Sequence, residues 1–214
     1  MKKELLKKPG LYLVTDRDVL KGRDLFKILS SSLKAGLDMV QFRDEEASDK
    51  DFLETGFKIK ELLKHRALFI INDRVHMALA LDADGVHLGS QDMPAATARK
   101  ILGKKKIIGF SAHSLEEALD AQERAVDYIA IGAIFKTPVK PDYNITGLDI
   151  LRQAAKKIKI SLIAIGGINE SNINDVAATG VKRIAVIRAI LEAQDPYLAT
   201  KRMLKACHDV KCNI

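Results

Sequence analysis

Tryptophan is absent from this chain of 214 residues, and aromatic residues of all kinds make up 5% of it. Single-strand and RNA binders stack bases on such rings, so nucleic-acid binding is not expected. Cysteine occurs twice, as Cys207 and Cys212, with no C-x-x-C pair or Cys/His cluster beside them. That spacing argues against a disulfide framework and against a thiolate metal site. No apolar run approaches the roughly 18 residues of a membrane span. The opening MKKELLKKPG places only Leu5 and Leu6 between its lysines, too little for a secretory signal, and a cytoplasmic location is expected. Neither G-x-G-x-x-G nor G-x-x-x-x-G-K-[ST] occurs, so the dinucleotide fingerprint and the P-loop are both missing.

What the chain does have is a globular composition, 47% hydrophobic and 29% charged, at a length that suits one domain spanning 1–214. Its 35 Lys and Arg against 28 Asp and Glu leave a net +7, a balance that favours anionic partners. Short apolar runs at 11–15, 39–42, 67–71, 85–88, 107–110, 128–132, 161–165 and 184–187 read as strands buried on both faces. Amphipathic segments alternate with them at about 23–35, 48–64, 74–82, 94–102, 114–125, 147–157, 169–178 and 196–209. Ser114-Leu-Glu-Glu117 has the spacing of a capping box, and Pro94 suits a first helical turn. Eight strand–helix units of roughly 27 residues each predict an α/β fold, a single-domain (β/α)8 TIM barrel. An open doubly wound sheet is the rival, but its usual glycine fingerprint is replaced by Thr15-Asp16-Arg17.

In such a barrel the residues just past each strand share one rim. They are Gln41-Phe-Arg43-Asp-Glu45, Asn72-Asp73, Gly89-Ser-Gln-Asp92, Ser111-Ala-His113, the segment from Phe135 to Lys140, Gly166-Gly-Ile168 and Ile187-Arg188. Asp73 and Asp92 follow neighbouring strands and could together hold Mg²⁺, or each could serve a helix start. Gly166-Gly167 could let backbone N–H groups approach a phosphate, or could simply make a tight turn. Lys140, between Pro138 and Pro141, could close over phosphates or be solvated. His113 is the best-placed acid–base residue by type, with a hydrogen-bonded spacer as the alternative, and His87 is a weaker candidate because it lies inside a strand, where it could belong to the packing.

Taken in order, Leu11-Tyr-Leu-Val-Thr-Asp16, Val40-Gln-Phe-Arg43, Ile71-Asn-Asp73, Asp84-Gly-Val-His-Leu-Gly89 with Gln91-Asp92, Ser111-Ala-His113, Gly132-Ala-Ile-Phe135 with Thr137 and Lys140, and Ile165-Gly-Gly-Ile168 resemble the thiamine-phosphate synthase (thiamine-phosphate pyrophosphorylase) family. The likeness runs from about residue 10 to 195. It implies a Mg²⁺-dependent transferase of thiamine biosynthesis that joins 4-amino-5-hydroxymethyl-2-methylpyrimidine diphosphate to 4-methyl-5-(2-phosphooxyethyl)thiazole, releasing pyrophosphate. In that family the diphosphate leaves first and the thiazole nitrogen captures the resulting pyrimidine methyl cation. The resemblance places Mg²⁺ at Asp73 and Asp92. It places the pyrimidine diphosphate at Gln41, Arg43, Asn72, Ser111 and Lys140, with Arg43, Ser111 and Lys140 as the catalytic set. Thr137, Gly167, Ile187 and Arg188 fall on the thiazole-phosphate site. No strong nucleophile is required, in keeping with the missing Ser-His-Asp and Cys-His arrangements.

Three positions depart from the family pattern: Glu45 stands where a lysine binds diphosphate, Val139 where a hydroxyl residue flanks Lys140, and Arg188 where a small residue, usually serine, meets the thiazole phosphate. A thiazole tautomerase of the same fold, with His113 moving the proton, and a non-catalytic phosphate-binding barrel are the alternatives. The expected partners are small phosphorylated substrates, not nucleic acid or membrane, with homo-oligomerisation left open.

Overall fold

Short apolar segments become strands here because both of their faces are covered, one by the barrel interior and one by helices. The computed structural model describes residues 2–137 and 145–209. Its strands are β1 Gly10–Val14, β2 Met39–Phe42, β3 Leu68–Asn72, β4 Gly85–Leu88, β5 Ile107–Ala112, β6 Tyr128–Ile131, β7 Ser161–Ala164 and β8 Arg183–Val186. Each pairs with the next in chain order and β8 closes on β1, Leu11 beside Ile184 and Tyr12 beside Ala185, all parallel. The helices are α1 Lys2–Leu5, α2 Arg17–Leu20, α3 Leu25–Ala35, α4 Asp49–Leu63, α5 Val75–Ala80, α6 Ala95–Leu102, α7 Leu115–Gln122, α8 Gly147–Lys157, α9 Ile173–Ala177, α10 Arg188–Leu191 and α11 Pro196–His208. The chain is the (β/α)8 barrel that the eight repeats predict. No helix among the described residues is long and apolar enough to cross a membrane.

Alternation along the strands divides the core in two. Tyr12, Met39, Leu68, Ile70, Ile107, Tyr128, Ile163 and Ala185 pack inside the barrel. Leu11, Leu13, Val40, Phe42, Ile71, Val86, Ile129 and Ile184 pack outward against helix residues such as Leu29, Ile59 and Met203. The end of the barrel where strands begin is closed by α1. Leu6 is buried with the inner set, and Lys2 and Lys3 pair with Asp84 and Asp127 ahead of β4 and β6. Arg183, at the start of β8, anchors the same end, pairing with Asp38 at 2.7 Å and donating to the Leu5 carbonyl at 2.7 Å. The opposite end, where strands finish, stays open to form a site.

Local details differ from expectation at helix starts. Pro94 is the cap residue of α6 and not part of its first turn. Helix α9 begins at Ile173, later than the 169 expected, because Asn169 and Asn172 bind nearby backbone amides: Ser171 N–H donates to Asn169 Oδ1 and Asn169 N–H to Asn172 Oδ1. Such side-chain turns compete with the first helical turn. Half of the capping box forms, Glu117 N–H donating to Ser114 Oγ at 3.1 Å, while the Glu117 carboxylate accepts the His113 N–H at 2.7 Å in place of that of Ser114. The short helices α1, α2 and α10 are too brief to leave a periodic signal.

Candidate active site

The loops after the strands enclose a cavity of about 500 Å³. Gln41, Arg43, Asn72 and Ser111 line one side, with Thr137, Gly167, Ile187 and Arg188 on its wall as well. Small and apolar side chains, Val14, Ala130, Ile165 and Ala185, also line it. The sequence-predicted residues of the pyrimidine side and of the thiazole side are therefore brought to a single cavity. Lys140 and Val139 lie outside the described residues.

Asp73 and Asp92 stand together beside this cavity, not in its wall. Asp73 follows β3 in the left-handed region, φ 57°, its N–H donating to the His87 carbonyl at 2.9 Å. Its carboxylate accepts from the Asn72 amide. Burial first, then a hydrogen bond with Asp92 and the charge of that neighbour, push the Asp73 carboxyl up to about 7. Asp92 accepts the Gly89 N–H at 2.6 Å. Neither carboxylate is a helix cap: the cap positions of α5 and α6 are Arg74 and Pro94, and neither helix start has a side-chain cap bond. Two carboxyl groups pressed together must share a proton or accept a cation between them, so the pair fits a hard divalent ion completed by waters and phosphate oxygens. Among the described residues no larger His/Cys/Asp/Glu group suited to a metal occurs.

Arg43 is held at the rim by two acids. One guanidinium nitrogen pairs with the buried Asp16, which also accepts the Val19 N–H as the cap of α2, and another donates to Glu45 at 2.5 Å. The carboxylate that departs from the family pattern thus offsets the charge of a neighbouring arginine, and it lines an adjoining cavity with Asp16 and Asp44. Arg188 donates from Nε to Glu192 at 2.8 Å, a pairing one helical turn along, and remains substantially exposed at the cavity mouth.

Gly166 and Gly167 have φ of 100° and 67°. A side chain on Gly167 would meet the Lys136 carbonyl at 2.7 Å, so the double glycine is needed where the loops after β6 and β7 touch. That geometric need exists whether or not an anion binds there. His113 Nδ1 lies 2.7 Å from the Gly132 carbonyl, which fixes the ring on the cavity wall.

Sequence reasoning missed the polar floor of the cavity. His87, the weaker candidate within a strand, contacts Tyr128 and Ser111, and Tyr12 bonds to Gln41. Asp16, quoted only as part of the β1 motif, is the buried partner of Arg43. A usable signal existed, since Tyr12, His87 and Tyr128 bring polar atoms to strands otherwise filled with aliphatic residues.

Residues 11–190 match the family described as thiamine monophosphate synthase. The chain is 49% identical over 185 residues to a thiamine-phosphate synthase of Clostridium acetobutylicum, covering 86% of this chain and 88% of that one. It is 44% identical over 201 residues to the enzyme of the same name from Clostridium tetani, with 94% and 93% covered. Among solved structures, thiamine phosphate pyrophosphorylase from Pyrococcus furiosus superposes with a TM-score of 0.88 at 39% identity, covering 96% of this chain and 98% of that one. With the match running over nearly the whole barrel and its rim, this chain belongs to the thiamine monophosphate synthase family.

Proposed function

We propose that the protein is a thiamine-phosphate synthase, a transferase that couples the pyrimidine diphosphate to the thiazole phosphate and depends on Mg²⁺. The observation that carries this reading is the placement of the Asp73–Asp92 pair beside a cavity that Gln41, Arg43, Asn72 and Ser111 share with Gly167, Ile187 and Arg188. One cavity thereby offers both substrate regions, and a pair of acids stands next to the diphosphate side.

Asp73 and Asp92 would hold Mg²⁺, which when bound supplies positive charge to the diphosphate leaving group. Asn72 keeps the Asp73 carboxylate oriented. Arg43, tethered by Asp16, presents a guanidinium that stabilises charge accumulating on the departing diphosphate. Gln41 and Ser111 orient the pyrimidine ring. Val14, Ala130 and Ala185 give the ring a dry surface, which shields a methyl cation from water until the thiazole nitrogen reaches it. On the far wall Gly167 and Arg188 receive the thiazole phosphate, so that the nucleophilic nitrogen is oriented by a distant anchor. No side chain has to act as a nucleophile.

The discriminating experiment supplies thiazole phosphate alone, then both substrates with Mg²⁺. Thiamine phosphate should form only in the complete mixture, with the thiazole unaltered when incubated alone. Isomerisation of the thiazole without a pyrimidine substrate would replace this reading with a tautomerase. Binding of phosphates without any turnover would leave a non-catalytic barrel.

The charge at Glu45 yields a first prediction. Glu45→Lys removes the partner of Arg43 and adds a cation at the rim, so Mg²⁺-pyrophosphate should bind several-fold tighter. The gain is about 1 kcal/mol, as Glu45 is exposed and its pair is screened. Titration calorimetry checks it, with thiazole-phosphate affinity as the control that should stay constant. Unaltered pyrophosphate affinity would place the Glu45 carboxylate outside the anion's field.

Arg188 yields a second. If its guanidinium leaves Glu192 to grip the thiazole phosphate, Arg188→Ser weakens that ligand by about 1–2 kcal/mol, the scale of a hydrogen bond to a charged group less the pair it gives up. The pyrimidine substrate should be affected less. Tighter thiazole-phosphate binding in the variant would show that the arginine obstructs the pocket.

A further inference from the structure

A chain of hydrogen bonds crosses the barrel at the floor of the cavity, with Gln41, His87 and Ser111 in the cavity wall and Tyr12 and Tyr128 behind it. Gln41 Nε2 donates to the Tyr12 hydroxyl at 2.6 Å, and the Tyr12 and Tyr128 hydroxyls are 3.0 Å apart. The Tyr128 hydroxyl lies 2.9 Å from His87 Nδ1, and His87 Nε2 lies 2.8 Å from Ser111 Oγ. All of these residues except Ser111 are buried. The rings are locked against one another: Tyr12 meets Tyr128 edge-on at 6.1 Å, and His87 stacks on Tyr128 at 5.4 Å. Gly109, beside Tyr128 on the neighbouring strand, leaves room for that ring, since a Cβ there would fall 2.0 Å from it.

Proton counting gives this chain a direction. Each tyrosine hydroxyl carries one hydrogen, and so does a neutral imidazole. With the Gln41 amide donating to Tyr12, a chain in which every hydroxyl both accepts and donates sends the Tyr12 hydrogen to Tyr128 and the Tyr128 hydrogen to His87 Nδ1. In that chain His87 carries its proton on Nε2 and donates to Ser111 Oγ, which leaves the Ser111 hydrogen for the cavity. At the other end Gln41 keeps its carbonyl oxygen as an acceptor. Reversal requires every member to turn over together, and would present an acceptor at Ser111 and an amide donor at Gln41.

We propose that Tyr12, Tyr128 and His87 are positioning residues that lock opposite polarities onto the two ends of the chain, a donor at Ser111 and an acceptor at Gln41. The cavity thereby selects a ring that carries both a nitrogen acceptor and an amino donor. This inference rests on the synthase reading and deepens it, because an aminopyrimidine has that pattern and a pyrimidine lacking the amino group does not. A site built around fixed donors and acceptors rejects an analogue that leaves one of them unpaired.

The test compares binding of the aminopyrimidine diphosphate and of its counterpart lacking the amino group, with Mg²⁺ and no thiazole, by titration calorimetry. The wild-type protein should prefer the amino compound, and Tyr128→Phe should reduce that preference about tenfold, the scale of one or two hydrogen bonds, while pyrophosphate affinity stays constant. In a Ser111→Ala background Tyr128→Phe should add little, because it acts through Ser111. Tyr12→Phe carries the same expectation should Tyr128→Phe fail to fold. Nitrogen-15 NMR of the ligand-free wild type should find a proton on His87 Nε2. A preference that survives both tyrosine substitutions, additive effects with Ser111→Ala, or a His87 proton on Nδ1 would overturn the positioning role alone. A wild-type protein that binds pyrophosphate but neither pyrimidine would overturn the synthase reading as well, and this inference with it.

Discussion

Asp73→Asn and Asp92→Asn should each lower turnover by about 100-fold or more, because a leaving diphosphate without its cation loses several kcal/mol of charge stabilisation. The fold should survive both, since neither side chain caps a helix. Asp73 also carries a pH signature. Its folded-state pKa is raised to about 7, mainly by burial and then by Asp92, whereas in the unfolded chain it titrates near 4. The folded state therefore holds the proton more tightly. The pair's contribution is fully present below about pH 4 and is lost as pH rises through 7. In EDTA, the wild type should lose stability over that window and Asp73→Asn should not. At pH 8 the variant should be the more stable by about 1–2 kcal/mol, a figure reduced for the partial exposure of the carboxyl. Urea denaturation at pH 5 and pH 8, with and without Mg²⁺, checks this. Added Mg²⁺ should close the gap at pH 8 by stabilising the wild type alone. Full activity in both variants, with an unchanged response to Mg²⁺, would assign the pair a structural role.

Arg183→Met should give the largest loss of stability, about 2–4 kcal/mol in urea denaturation. Arg183 is 1% exposed and its guanidinium meets Asp38 through two nitrogens as well as the carbonyls of Leu5 and Lys8. Methionine restores most of the volume but leaves those acceptors without a donor. Asp38 is partly exposed and can regain some water, which keeps the loss below that of a wholly enclosed pair. Gly10 belongs to the same construction, because a Cβ there would lie 2.6 Å from both the guanidinium and the Asp38 carboxylate. Pairing Arg183→Met with Asp38→Asn should recover part of the loss. Turnover at 25 °C should change little, as this cluster closes the end of the barrel opposite the cavity. A loss under about 0.5 kcal/mol would mean that the charged cluster is no anchor.

The eight strands were legible because each is a brief apolar run bounded by polar rim residues, and the repeat length left room for one helix between them. Gln41, Arg43, Asn72 and Ser111 were legible for the same reason: a polar residue at or just past a strand end has one rim to face. The pairing of Glu45 with Arg43 was not, since two residues apart on a turning loop they could point anywhere. Arg183 opens a strand and reads as one more surface cation until Asp38, 145 positions away, is brought against it. His87 hides in a similar way. An inward histidine within a strand looks like packing, and its polar partners come from two other strands, Ser111 from β5 and Tyr128 from β6. Chain order shows which residues reach the rim. It does not show which polar groups meet inside, because those partnerships are made by barrel closure.

The measurement closest to the central claim is phosphorus NMR of one reaction containing the protein, the pyrimidine diphosphate, the thiazole phosphate and Mg²⁺. Thiamine phosphate and pyrophosphate should appear in equal amounts as both substrates disappear, and EDTA should stop the reaction. Inorganic pyrophosphate without thiamine phosphate, or no change in any phosphorus signal with folded protein and both substrates present, would contradict the assignment.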